Sequence, residues 1–267
     1  MSYVNYYPSS RMLHVSIPLL MGTRLDALLF GDDRARLEEV WYAAEAEMRR
    51  LEKMLNRFDA TSEVAAINRE AQTATVRLGD DMWQILLDCR RYCELTDGYF
   101  DITLSDFSKI GIEDAEHSIR FEQEGMMLDF GGYAKGYALR KVHRQLKDAG
   151  IERALLNLGN SSIMALNTHP FGDTWPIDVE DPYTHRPLAT LHLRDSAMSV
   201  SGNSPANSQH IVNPARATVV EGRMIVAIEA EDPLDAETLT TAWIASGEES
   251  EPSWLKNFNL KRTYRLI

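Results

Sequence analysis

Four groups of residues in this 267-residue chain have types and spacings that chemistry uses. The most informative is the run Leu128-Asp129-Phe130-Gly131-Gly132-Tyr133-Ala134-Lys135-Gly136-Tyr137-Ala138. It reads as a strand entering paired glycines and then a helix. Glycines there admit a ligand close to the backbone. A helix start offers unpaired N–H groups and a partial positive charge, which suits a phosphate, and Lys135 adds a full charge. Without a ligand, the same residues make an ordinary tight strand-to-helix turn. Glu237 and Thr241 stand four apart, so a helix places them on one face. Their oxygens can both serve a hard cation such as Mg²⁺, or simply face water. Asp235, behind Pro233 and Leu234, reads as the N-cap of that helix. Asp101 and Thr103 are two apart in Gly98-Tyr99-Phe100-Asp101-Ile102-Thr103. A strand would set both on one face, as acceptors for a hydroxyl or amide edge or as a polar face against water. His210 precedes Ile211-Val212-Asn213-Pro214. Just before an Asn-Pro turn it can act as proton donor or base, or it is structural.

Elements must position these groups. Apolar residues at Leu37, Val40, Trp41, Ala44, Met48, Leu51, Met54 and Leu55 follow a helical period over about 34–57, after a turn and cap at Gly31-Asp32-Asp33. Residues 12–30 read as a strand pair around Met21-Gly22-Thr23. A short helix spans 62–70 with Ser62 as N-cap. A longer one covers 80–95, stopped at Thr96-Asp97-Gly98. Strand-like runs follow at 99–104, 117–121 and 126–130, then a helix over 133–148 closed by Gly150. Lys141, Arg144 and Lys147 near its end suit the helix dipole. Beyond it the chain is strand-rich, at 153–158, 161–166, 175–180, 188–194, 197–201, 209–212 and 223–230, with a last helix at 235–247. Helices do not alternate one-for-one with strands. The expected class is therefore α+β, with mostly antiparallel sheets packed against a few long helices.

Composition narrows the function classes. Lys plus Arg is 28 and Asp plus Glu is 40, a formal net charge of −12. Nucleic-acid binding needs a basic footprint and anionic membranes attract basic segments, so neither partner is expected. No window approaches the roughly 18 apolar residues of a membrane span, so no membrane insertion is expected of this chain. The first residues, MSYVNYYPSSRMLHVSIPLL, lack the pattern of a signal peptide. The chain as written reads as cytoplasmic, or as periplasmic or exported if a signal segment has been removed. Cys89 and Cys93, four apart in a helix, read as core residues rather than a disulfide.

In order and spacing, these pieces resemble the ApbE family of FAD:protein FMN transferases. Met21-Gly22-Thr23 matches a Met-Gly-Thr element, and Phe58 to Glu63 with Asn68 matches a Tyr-x-x-x-Ser-Glu-…-Asn element. Thr96 to Thr103 matches Thr-x-Gly-x-Phe-Asp-Pro-Thr with Ile102 for the proline, and Asp129 to Ala138 matches Asp-x-Gly-Gly-x-Ala-Lys-Gly-Tyr-Ala in full. The resemblance spans about 20–250 and implies an N-terminal arm over 1–20 and a single flavin-transferase domain over 21–267. It implies an ApbE-like fold with an FAD cleft. It also implies Mg²⁺-dependent transfer of FMN from FAD to a Thr or Ser hydroxyl of an acceptor protein, with AMP leaving. FAD hydrolysis to FMN and AMP in the same site, or FAD binding without catalysis, are the alternatives. The FAD-contacting residues it implies are Met21, Phe58, Phe100, Asp101, Thr103, Gly131, Gly132, Tyr133, Ala134 and Lys135, with Phe58 stacked on the flavin ring. The implied metal ligands are the Ala134 carbonyl, Glu237 and Thr241. His210 and Glu237 are the implied catalytic residues.

Four elements depart from the family pattern. Glu237 stands where the family has a metal-binding aspartate, with Asp235 as the rival position. His-Ile-x-Asp-Pro-Arg-Thr-Gly reads His210 to Ala217, with Asn213 for the aspartate. Thr-Ser-Gly reads Val200-Ser201-Gly202, and Asn-x-Gly-Gly-Asp reads Asn157-Leu158-Gly159-Asn160-Ser161.

Overall fold

The computed structural model describes residues 2–202 and 211–267. Its strands are β1 (Tyr3–Tyr7), β2 (Met12–Leu20), β3 (Thr23–Phe30), β4 (Val76–Arg77), β5 (Ile110–Glu113), β6 (Ser118–Phe121), β7 (Arg153–Leu158), β8 (Ser162–Leu166), β9 (Trp175–Glu180), β10 (Pro187–Leu193), β11 (Ser196–Gly202), β12 (Val212–Asn213), β13 (Thr218–Val219), β14 (Ile225–Ala230) and β15 (Leu260–Arg265). Its α-helices are α1 (Arg34–Leu55), α2 (Glu63–Glu70), α3 (Asp80–Leu95), α4 (Ala134–Asp148) and α5 (Pro233–Ser246).

Eight strands form one antiparallel sheet in the order β1-β2-β3-β7-β8-β11-β14-β15. Residues 3–20, read from the sequence as an arm, supply its first two strands. Strand periodicity divides the core. Met164 and Leu166 of β8 and Val226 and Ile228 of β14 face the large cluster under the helices. Ile163, Ala165 and Ala227 face a second cluster with Trp175, Val179 and Leu193, under the β9–β10 hairpin. The sheet is thus apolar on both faces, as its central strands require. Cys89 lies in the larger core and Cys93 packs against it, both as free thiols. No helix among the described residues is long and apolar enough to cross a membrane.

Helix boundaries follow their caps. Asp33 accepts from Arg36 N at 3.1 Å and Ser62 from Ala65 N at 3.0 Å. α5 corrects the expected cap: Asp232, not Asp235, accepts from Leu234 N at 2.9 Å, with Pro233 in the first helical turn. Asp235 sits further in, where its carboxylate accepts the Tyr92 hydroxyl.

Two expected strands do not form. Over 99–104 the Asp101 carboxylate accepts from Thr103 N and Thr103 Oγ1, both at 2.7 Å, and from Phe107 N at 2.8 Å. Those bonds wind the segment into a turn, an Asx motif that competes with extended backbone. Over 126–130 side chains replace a strand partner. Asn68 donates to Leu128 O at 3.0 Å and accepts from Leu128 N at 2.7 Å. Asp129 N donates to Ile102 O at 2.7 Å. Leu128 and the Asp129 amide thus find partners outside a ladder.

Candidate active site

Between the glycine turn, the β2–β3 turn and the β9–β10 hairpin lies a cleft of about 950 Å³. Of the residues anticipated for FAD or metal, Met21, Phe58, Phe100, Asp101, Gly131, Gly132, Lys135, Glu237 and Thr241 line it. Three others do not. Tyr133 is fully buried, stacks on Tyr137 at 5.3 Å between ring centroids and donates to Asp88 at 3.2 Å. Thr103 spends its hydroxyl on Asp101. Ala134 opens α4 at the cleft's edge, beside Lys135. His210 lies outside the described residues; its neighbours Ile211, Val212 and Pro214 line the cleft.

The glycines act differently from their reading in the sequence. A Cβ on Gly136 would lie 2.5 Å from Glu237 Cβ and 2.9 Å from the Pro233 carbonyl. A Cβ on Gly132 would lie 2.8 Å from Thr241 Cγ2. Both therefore let α5 pack closely against the turn and α4, while Gly131 and Gly132 also line the cleft. This packing brings Lys135 onto Glu237. Lys135 Nζ pairs with Glu237 Oε1, and Glu237 is 4% exposed. Glu237 Oε2 accepts from Ser162 at 2.5 Å and Ser199 at 3.1 Å. The Thr241 hydroxyl donates to the Glu237 carbonyl at 3.1 Å, which leaves its lone pairs free. The charged groups at the turn are completed by Asp129, which accepts from Gly131 N at 2.7 Å and pairs with Arg57 Nε at 2.6 Å.

Sequence reasoning passed over Arg57. Its guanidinium lies 4.2 Å from the ring centroid of Phe58, which is 81% exposed at the cleft mouth. The signal was present: an Arg-Phe pair ending a long amphipathic helix. It also passed over Ser162 and Ser199, which only the sheet order brings to Glu237.

The opposite wall is acidic. Asp178, Glu180 and Asp181 of the β9–β10 hairpin line it. Hydrogen bonds from Thr184 and Tyr183 N, with the Arg223 guanidinium, hold Asp181 at about 2. Burial instead raises the Asp101 carboxyl above the usual aspartate range, against the opposing bonds from Thr103 and Phe107.

The departures have visible local consequences. Asn213 accepts from Arg216 N at 3.1 Å, a bond an amide oxygen makes as an aspartate would. Asn160 takes a φ of 54° after Gly159 at 71°; asparagine tolerates that left-handed conformation. A Cβ on Gly159 would lie 2.5 Å from Thr23 Oγ1, so this turn packs on the β2–β3 turn.

The donor set at α5 fits a hard divalent cation. One carboxylate oxygen already faces an ammonium, and a hydroxyl stands one helical turn away. Among the described residues no group of three or more His, Cys, Asp or Glu is arranged to hold a metal ion, so hydroxyl and backbone oxygens would have to complete the shell. A cleft with cations beside a carboxylate–hydroxyl pair has the makings of a site that handles phosphate esters with a metal. The family model for the ApbE family matches residues 21–110 and 103–264, and the chain belongs to that family. It is 22% identical over 269 residues to the FAD:protein FMN transferase of Klebsiella pneumoniae, covering 86% of this chain and 82% of the relative. It is 24% identical to the Treponema pallidum protein of the same name, covering 84% and 75%. A 157-residue match to the Rhodobacter capsulatus FAD:protein FMN transferase is 27% identical, with 56% of this chain on 30% of that longer one. Among solved structures, the ApbE protein of Thermotoga maritima superposes with a TM-score of 0.79 at 20% identity, covering 92% and 89%. The flavin transferase ApbE of Vibrio cholerae gives 0.76 at 18%, covering 89% and 88%. These structures establish the α+β fold.

Proposed function

We propose that this chain is a transferase that moves the FMN half of FAD onto a threonine or serine hydroxyl of an acceptor protein, with Mg²⁺ as cofactor. Family membership and the names of the relatives support the reaction. The observation that carries it is the convergence of Lys135, Glu237 and Thr241 beside the glycine turn, within one cleft. The cleft draws its walls from Met21 through Ala245, which supports reading 21–267 as one catalytic unit.

In this reading the acceptor oxygen attacks the phosphorus bearing riboflavin. An O–P bond forms, the pyrophosphate bond breaks, AMP leaves and the hydroxyl proton is lost. Glu237, Thr241 and the Ala134 carbonyl would hold Mg²⁺, which neutralises charge on the phosphates when bound. Lys135 and Arg57 offset the anion in a chain of net charge −12. Phe58 stacks on the flavin, with Met21 and Phe100 shaping the cleft around it. His210 takes the proton.

The test is to incubate the chain with FAD and Mg²⁺, with and without the substrate protein of the Klebsiella relative. Transfer requires AMP release that depends on the acceptor and matches its gain of FMN. AMP release indifferent to the acceptor assigns hydrolysis instead. Tight FAD binding with neither product assigns a binding role.

A further inference from the structure

The two oxygens of the Glu237 carboxylate are held in different ways. Oε1 meets the Lys135 ammonium at the cleft. Oε2 accepts from the hydroxyls of Ser162 and Ser199. These serines are each 2% exposed and stand directly opposite each other on adjacent central strands, β8 and β11. A hydroxyl chain continues behind them. Thr240 Oγ1 lies 3.1 Å from Ser199 Oγ, and Ser201 Oγ, at the cleft wall, lies 2.9 Å from Thr240 Oγ1. Thr240 Oγ1 also lies 3.1 and 3.0 Å from the Ala236 and Glu237 carbonyls; with its one proton on Ser199, the order Ser201 to Thr240 to Ser199 to Glu237 satisfies every member and ends on the acceptor-only carboxylate. Apolar side chains fill both faces of the neighbouring strands. Hydroxyls buried there are costly unless paired, and a valine or alanine would pack without that need.

We propose that Ser162 and Ser199 are positioning residues, a hydroxyl clamp that fixes Oε2 in the sheet and thereby turns Oε1 toward the cleft. Lys135 holds Oε1 until a divalent cation takes that place. The inference rests on the reading of Glu237 as a cation ligand. Glutamate has several side-chain torsions to fix, and a ligand must hold its geometry before the cation arrives. The clamp removes that freedom.

The experiment is calorimetric titration of Mg²⁺ into the full chain, with melting temperatures measured alongside in chelator. The variants are Ser162→Ala, Ser199→Ala, the double variant and Glu237→Gln. Hydrogen bonds to a charged group are strong enough that each single change should weaken Mg²⁺ binding by about threefold or more, and the double change by about tenfold or more. Glu237→Gln should abolish binding. Lower melting temperatures with unchanged Mg²⁺ affinity in both single variants would mean that the serines only satisfy a buried carboxylate, and the clamp is overturned. The single variants decide the matter even if the double variant does not fold. Unchanged Mg²⁺ binding by Glu237→Gln, or none by the unaltered chain, overturns the metal assignment itself and the clamp with it.

Discussion

Replacing Gly136 with alanine adds one methyl at the closest approach of α4 to α5. The new Cβ would lie 2.5 Å from Glu237 Cβ, 2.9 Å from Pro233 O and 3.0 Å from Leu234 Cα. None of the three atoms is the far end of a flexible side chain, so rotation cannot relieve the contact. Overpacking of this kind costs about 1–3 kcal/mol, and the rigidity of these partners places it near the upper end. Alanine recovers about 1 kcal/mol of helix propensity over glycine. The net expectation is destabilisation by about 2 kcal/mol, a fall in Tm of roughly 4–8 °C for a chain of this size. At an exposed helix position the same change would stabilise, so the sign alone is informative. Urea and thermal unfolding followed by circular dichroism measure it. Transfer activity measured below the transition should also fall by about tenfold or more, since Lys135 moves with α4 against Glu237. An alanine variant as stable as the parent, or more so, would refute the account of why this motif needs its third glycine.

Phe58→Ala should raise the KM for FAD by about two- to tenfold in steady-state assays, while stability stays within about 0.5 kcal/mol because the ring is 81% exposed. Arg140→Met should cost about 2 kcal/mol in urea unfolding. It breaks a largely buried guanidinium from Asp88 and Asp232, at 2.9 and 2.8 Å; the cost is below that of a fully buried pair because those carboxylates are about one-third exposed. Asp181 gives a pH signature. Its folded value of about 2 lies below the roughly 3.9 of an unfolded chain, so its contribution is present above about pH 4 and lost as pH falls toward 2. The Tm gap between parent and Asp181→Asn should therefore shrink between pH 6 and pH 2.5, and a constant gap would count against the Asp181 assignment.

Much of the site was legible because its motifs are local. The helix period read over about 34–57, the Ser62 cap and the helix start within the run from Asp129 to Ala138 each carry their own signal, and α1, α2 and α4 stand close to where the sequence placed them. Asp101 and Thr103 misled because alternating polar residues look alike in a strand and in an Asx turn; only the bond to Phe107 N, six residues on, separates them. Segment 126–130 misled for a related reason, since Asn68 substitutes for a strand that sequence cannot see. Gly132 and Gly136 announced a close approach but not its partner, α5, about a hundred residues later. Ser162 and Ser199 were illegible because strand order alone sets them opposite each other and under Glu237. The short polar strands β1 and β15 lack the apolar alternation that marks an element, and pairing at the sheet edges defines them.

The central claim is covalent transfer of FMN, and intact-mass analysis of the acceptor tests it most directly. After incubation with FAD, Mg²⁺ and this chain, the acceptor should gain the mass of one FMN phosphoester, mapped to a single threonine or serine. The gain should vanish with chelator and with Glu237→Gln. An acceptor of unchanged mass while FAD is consumed, or an FMN adduct that forms equally well with Glu237→Gln, would contradict the account.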